Sequence, residues 1–206
     1  MRYTLILLAL LCSFNVFAQI EATTKEGKQV VLYDDGSWEY VKVDIEVVNA
    51  DVDNQLTAES EIKELYHAVS PRLKKYFGEQ KGKIRGRAKC GVENGQANIH
   101  FQWEVFRSDA YRYFGYMKAG VQLTLRTKNN DEIKLVLTEN INYNVMEKYN
   151  YSLFEGSAQV SPEQLNHLLT FPVTEVEVEW KKKPESYQLN NPAYFKETFS
   201  KILSQE

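Results

Sequence analysis

The stretch KIRGRAKCGVENGQANIHFQWEVF (residues 83–106) decides the fold. Asn94-Gly95 lies near its centre, with alternating apolar and polar residues on either side. A type I′ turn needs two residues that tolerate positive φ, and Asn-Gly supplies them, so the pattern predicts one long β-hairpin turned at 94–95. A two-residue turn also fixes the register. Cys90 is expected opposite Ile99, Ala88 opposite Phe101, Gly86 opposite Trp103 and Ile84 opposite Val105. Small residues of one strand then face large ones of the other, as a shared buried face requires.

The opposite face of this hairpin carries Lys83, Arg85, Arg87 and Lys89, with Lys81 just before them. Between Arg72 and Lys89 there are eight basic residues and one acidic residue, Glu79. On a strand rising ~3.3 Å per residue, alternate side chains project from one face about 6.5–7 Å apart. Lys81, Lys83, Arg85, Arg87 and Lys89 are therefore a candidate anion-binding ladder for phosphate-rich lipopolysaccharide, anionic lipid or acidic polysaccharide. A structural alternative is preferred. Glu104 falls opposite Arg85, and Glu175, Glu177 and Glu179 form an acidic row of the same period that would neutralise the ladder from a neighbouring strand.

Outward from this core, residues 1–18 read as a secretory signal. Arg2 gives a minimal positive start, Leu5 to Leu11 an apolar core, and Val16-Phe17-Ala18 a small-residue cleavage site before Gln19. A membrane anchor needs about 20 apolar residues, and this run is interrupted by Ser13 and Asn15. The expected destination is the periplasm or the exterior, with no membrane span after cleavage. The chain has 206 residues and a net charge of −3. Arg2 is the only charge among residues 1–18, so the exported form is one unit more acidic, which argues against nucleic acid as a partner. After cleavage Cys90 is the sole cysteine, so no intramolecular disulfide can form and a large core must stabilise the fold.

Near the expected mature N-terminus, Gly27-Lys28-Gln29-Val30-Val31-Leu32-Tyr33-Asp34-Asp35-Gly36-Ser37-Trp38-Glu39-Tyr40 predicts a second hairpin, turned at 34–36. This segment resembles the G-K-x-V-x-L-x-x-D-G-[ST]-W-x-Y element of uncharacterised exported proteins of Gram-negative bacteria. The resemblance covers about 14 residues and implies an envelope or secreted location; the family has no known activity to carry over. Val41, Val43, Ile45 and Val47 alternate with polar residues as a further strand.

The domain reading is a signal peptide at 1–18, an N-terminal β-hairpin element and strand at 19–48, a connector at 49–60, and a β-rich main domain at 61–206. In the last, apolar residues from Ile62 to Phe77 recur at helical spacing across Pro71, which either kinks a single helix or starts a second one with Ser70 as N-cap, and Gly78 is the expected C-cap. Val121–Leu125 and Ile133–Leu137 alternate as a hairpin, with Asn129-Asn130-Asp131 as its loop and Leu125 opposite Leu135. Ser161-Pro162-Glu163-Gln164 is a capping box, and Asn191-Pro192 opens a helix bearing Phe195, Phe199, Ile202 and Leu203. The expected fold is mainly β, antiparallel and sandwich-like, with packed helices near 60–77, 161–169 and 192–204. A single curved antiparallel sheet covered by helices (α+β) is the alternative.

Catalytic signatures are absent from the sequence: no Gly-x-Ser-x-Gly, His-Glu-x-x-His, Cys-x-x-Cys or phosphate-cradling loop. The histidines, at 67, 100 and 167, fall in three different elements, so neither a metal nor another cofactor is expected. Tyr111, Tyr113 and Tyr116 are a candidate aromatic platform for sugar rings, weighed against ordinary packing at a sheet edge. The functional expectation is a non-catalytic exported binding or accessory protein whose partner is an envelope glycan, lipid or protein. A small periplasmic hydrolase without a sequence signature is the runner-up.

Overall fold

The computed structural model describes residues 20–23, 29–33, 36–40, 56–116 and 118–204. The expected signal segment and the expected strand at Val41–Val47 lie outside them. The chain divides into two compact units, Met1–Ile45 and Glu46–Glu206.

In the first unit, β1 (Ile20–Thr23), β2 (Gln29–Leu32) and β3 (Trp38–Tyr40) form an antiparallel three-stranded meander. The expected hairpin is present, with Leu32 paired to Trp38 and Val30 to Tyr40. Gly36, at φ +80°, donates its N–H to the Tyr33 carbonyl, and only glycine adopts that backbone cheaply. β1 adds a third strand, which a hairpin otherwise marginal in water requires.

The second unit is mainly β and holds two antiparallel sheets. Its elements begin with β4 (Ala58–Glu59), β5 (Lys63–Val69), α1 (Pro71–Lys81), β6 (Lys83–Glu93), β7 (Gln96–Val105) and the one-turn α2 (Tyr111–Phe114). They continue with β8 (Gln122–Thr127), β9 (Glu132–Val136), β10 (Asn142–Met146), β11 (Tyr151–Gln159), α3 (Pro162–Thr170), β12 (Val173–Val178), β13 (Glu185–Gln188) and α4 (Tyr194–Leu203). The six-stranded sheet runs β10-β11-β7-β6, with β4 and β5 both pairing with β6; the four-stranded sheet runs β13-β12-β8-β9.

β6 and β7 are the predicted hairpin, in the predicted register. Ile84 pairs with Val105, Gly86 with Trp103, Ala88 with Phe101 and Cys90 with Ile99. Asn94 and Gly95 take φ of 49° and 76°, the left-handed pair that a type I′ turn needs. The inward side chains of both sheets enter one core. Phe101 and Trp103 stack at 5.7 Å, and Trp180, just after β12, meets Trp103 at 5.6 Å and Phe114 at 4.5 Å. The sandwich reading holds, and the single-sheet alternative falls. The sheets also touch at their margins, through a bridge between Leu137 and Ala158 and a bond from Asn190 N to the Leu65 carbonyl (2.7 Å), without closing a barrel.

Three expectations need correction in detail. Lys63–Val69 is a strand, and the helix starts only at Pro71, where the Ser70 hydroxyl accepts from Leu73 N. The register along β5 shifts between Glu64 and Tyr66, which places Leu65 and Tyr66 both inside and imitates helical spacing in the sequence. The β8–β9 loop is Lys128-Asn129-Asn130, one residue earlier than expected, so Leu125 faces Ile133 and Leu123 faces Leu135. Asn130 occupies its left-handed position (φ 63°), and the Thr127 hydroxyl accepts from Asp131 N. A two-residue shift preserves the inward face. β4, from the segment read as connector, pairs with Gly91 and Val92 of β6, so the main sheet begins before residue 61.

Candidate functional site

Strand alternation puts the basic row on the outer face of the six-stranded sheet, away from the core. There it meets acids from three neighbouring strands. Arg85 reaches Glu64 of β5 (3.0 Å) and Glu104 of β7 (3.2 Å), Arg87 reaches Glu104 (2.9 Å), and Lys89 reaches Glu59 of β4 (2.6 Å). The pairing expected for the row is present, with Glu104 on Arg85 as the hairpin register required, but Glu59 and Glu64 stand where Glu175, Glu177 and Glu179 were expected. β6 is flanked by β7 on one side and by β4 and β5 on the other, leaving no edge for the Glu175–Glu179 segment. Glu175 and Glu177 instead bind Arg126 of β8, in the other sheet. Lys83 lies beside His67 and Val69 in a shallow depression, and Lys81 ends α1; among the described residues neither makes an ion pair. The ladder is thus largely spent internally.

The same face continues across β7 and β11. His100 lies opposite Ser157 and Gln102 opposite Glu155. His100 Nδ1 is 3.0 Å from Ser157 Oγ, His100 Nε2 is 3.8 Å from Glu155 Oε1, and Gln102 Nε2 donates to Glu155 at 2.5 Å. Partial burial pushes the His100 imidazole below its ordinary pKa; Glu155 opposes the shift and Lys89 adds to it. A hydroxyl, an imidazole and a carboxylate therefore meet in line. β7 is paired on both sides, so its backbone N–H groups lie in the plane of the ladder and none is free above it, where Ser157 Oγ would react.

Beyond the rung, toward the 94–95 turn, lies an open depression of about 490 Å³. Asn94, Gln96, Asn98, Thr138, Ser157 and Gln159 line it, together with the carboxylates of Glu93 and Glu139. At the other end of β11 the outward residues are Tyr151 and Leu153, with Met146 of β10 paired to Tyr151. Tyr149 lies 6.5 Å from Tyr151 and is 67% exposed. Taken along β11, the outer face passes from aromatic and apolar, through charge-paired, to amide-rich. The register set by the 94–95 turn brings His100 and Gln102 to this face, opposite Lys89 and Arg87, whereas Ser157 and Gln159 were not legible, because nothing local shows that β11 pairs with β7.

The three candidate tyrosines do not make one platform. Tyr111 stacks on Tyr116 at 5.4 Å, and both meet Tyr143 edge-on. Tyr113 faces α1, where it packs against Phe77 (5.2 Å) and Tyr76 (5.5 Å). Residues two apart on a helical turn point in nearly opposite directions, which separates Tyr113 from Tyr111.

A second groove, of about 390 Å³, runs between α4 and the β4–β5 segment, lined by Glu61, Lys63, Glu197 and Lys201 among others. Tyr194 also lines it and donates its hydroxyl to the Ala88 carbonyl at 2.7 Å. Among the described residues no three His, Cys, Asp or Glu side chains are placed to hold a metal ion. Cys90 is a free thiol whose pKa burial pushes up, as expected of a small core residue. No helix among the described residues is long and apolar enough to cross a membrane.

Comparison of the chain with known family models, with curated proteins and with solved structures gives no match in any of the three.

Proposed function

We propose that this protein is an exported, non-catalytic binding module of the bacterial envelope, and that it presents the outer face of its six-stranded sheet to an uncharged glycan. The observation that carries this reading is the composition of that face. Its central cations are matched by carboxylates, so it offers little field to a polyanion. Its amide-rich depression supplies side-chain donors and acceptors suited to sugar hydroxyls. Tyr149 and Tyr151, at the far end, supply rings on which a sugar can stack. The expected leader at 1–18 and the resemblance of residues 27–40 to an exported family support the location.

The test is a panel of immobilised envelope polysaccharides, neutral and anionic, probed with the wild type and with Asn98→Ala/Gln159→Ala. Saturable binding to a neutral glycan, insensitive to salt and weakened at least tenfold by the double substitution, is the expected result. Binding confined to anionic polymers and abolished by salt would return the function to the basic row.

The His100–Ser157–Glu155 rung favours a second reading, hydrolysis with Ser157 as nucleophile. A fluorophosphonate probe separates the two: labelling of Ser157 that is lost in His100→Ala supports a hydrolase, and no labelling supports a hydrogen-bonding rung.

A further inference from the structure

The margins of the two sheets are treated differently. β13 is tied to β5 through Asn190, β9 touches β11 at Leu137–Ala158, and the Lys134 carbonyl of β9 accepts from Gln164 of α3. β10 stands apart. It pairs with β11 on one side, and among the described residues no other segment hydrogen-bonds its backbone. Exposed strand edges are ordinarily blunted by charge, proline or a bulge. β9 carries Glu132 and Lys134. β10 reads Asn-Tyr-Asn-Val-Met, with no charge and no proline, and its pairing to β11 has no register shift. Exposed apolar side chains gather around it: Val145 and Met146 on the strand, Tyr149 just after it, and Tyr116 against Tyr143.

We infer that β10 is the interface with a second copy of this chain, the two strands pairing antiparallel about a two-fold axis at Asn144. The sequence of the edge fits itself in that register. Tyr143 falls opposite Val145 of the other copy, apolar against apolar on the inner side, and Asn142 falls opposite Met146 on the outer side, with no charge facing a like charge along the strand. The uncharged run extends from Asn140 to Met146, and the turn bearing Lys148 then lies beside Glu139–Asn140 of the other copy. An extended peptide from another protein could add to the same edge; the self-complementary pattern favours a second copy. The consequence reaches past the binding reading: the two outer faces join into one continuous sheet surface, and the two amide-rich depressions lie at opposite ends of it.

Sedimentation equilibrium without ligand tests this independently of the function. The full chain is expected to show a concentration-dependent mass of two copies, and Val145→Lys to weaken the dimer by about tenfold or more while leaving the circular dichroism unchanged and the melting temperature no longer dependent on concentration. Facing Cα atoms in an antiparallel pair are about 4.5–5.5 Å apart, within disulfide reach. Asn144→Cys in a Cys12→Ser background, with Cys90 buried, is therefore expected to oxidise to a covalent dimer. A single-chain mass at every concentration overturns the inference and leaves the edge to a different partner. A dimer that Val145→Lys does not weaken, and that position 144 does not cross-link, overturns it as well.

Discussion

Gly86 shows how one residue carries a constraint from outside its own hairpin. A Cβ built on it would lie 2.2 Å from Cε1 of Tyr66, whose ring is fully buried and stacked on Tyr187 at 4.5 Å. The ring has nowhere to retreat, so Gly86→Ala is expected to cost about 2–3 kcal/mol in urea denaturation. Gly91→Ala, whose Cβ would meet the Asn98 side chain at 3.1 Å, is expected to cost clearly less. His100 gives a pH signature. Its folded pKa lies below the ordinary value, so the unfolded chain binds the extra proton first. Stability is then full above about pH 6.5 and falls as the pH drops through that value. Melting temperatures should decline between pH 7 and 5, and His100→Asn should flatten the decline. Asp109, whose pKa Arg107 lowers, acts in a separate and more acidic window, losing its contribution as pH falls below about 4. Residue by residue, the 83–106 register was legible because turn chemistry is local. The demand for glycine at 86 was not, because it comes from β5.

At the scale of elements, the contact between α1 and β13 depends on a buried carboxylate. Glu185 accepts from Ser70 Oγ (2.8 Å), Tyr187 Oη (2.5 Å) and Arg72 N (3.2 Å), and the Arg72 guanidinium lies 3.5 Å away. Removing it takes the acceptor from the buried Ser70 and Tyr187 hydroxyls and the counter-charge from an almost buried Arg72, whose guanidinium keeps only the Tyr113 and Lys183 carbonyls. Glu185→Ala is therefore expected to lower stability by about 3 kcal/mol or more, and a loss under about 1 kcal/mol would contradict the role. Some elements were readable because their signals are short in range. The capping box at Ser161 and Gln164 forms with both bonds, and Val176, Val178 and Trp180, which alternate with the acidic row, are all buried. β5 was misread because its bulge gave strand residues a helical spacing, and the Ser70–Pro71 helix start was visible for the opposite reason, being a local cap. Tyr111–Tyr116 had no periodic signal because its conformation is set by packing on Tyr143 and Phe77.

For the whole molecule, the sandwich was legible from alternation, while the assignment of strands to sheets was not, since pairing between distant segments leaves no local trace. That gap put Glu59 and Glu64 in place of the expected Glu175, Glu177 and Glu179 as partners of the basic row, while Glu104, which the hairpin register placed opposite Arg85, kept its role. Neutralisation within one sheet has a measurable consequence. Arg85→Glu/Arg87→Glu removes three ion pairs and sets like charges beside Glu64 and Glu104. It should cost about 1–3 kcal/mol, whereas association with anionic vesicles, expected to be negligible in the wild type, should not change. The central claim concerns the outer face itself, and amide chemical-shift mapping reads it most directly. With solubilised neutral envelope polysaccharide titrated into labelled protein, the shifts are expected on β6, β7 and β11, strongest around Asn98, His100 and Ser157. Shifts confined to the α4 groove or to Tyr111–Tyr116, or no shifts at all, would contradict the account.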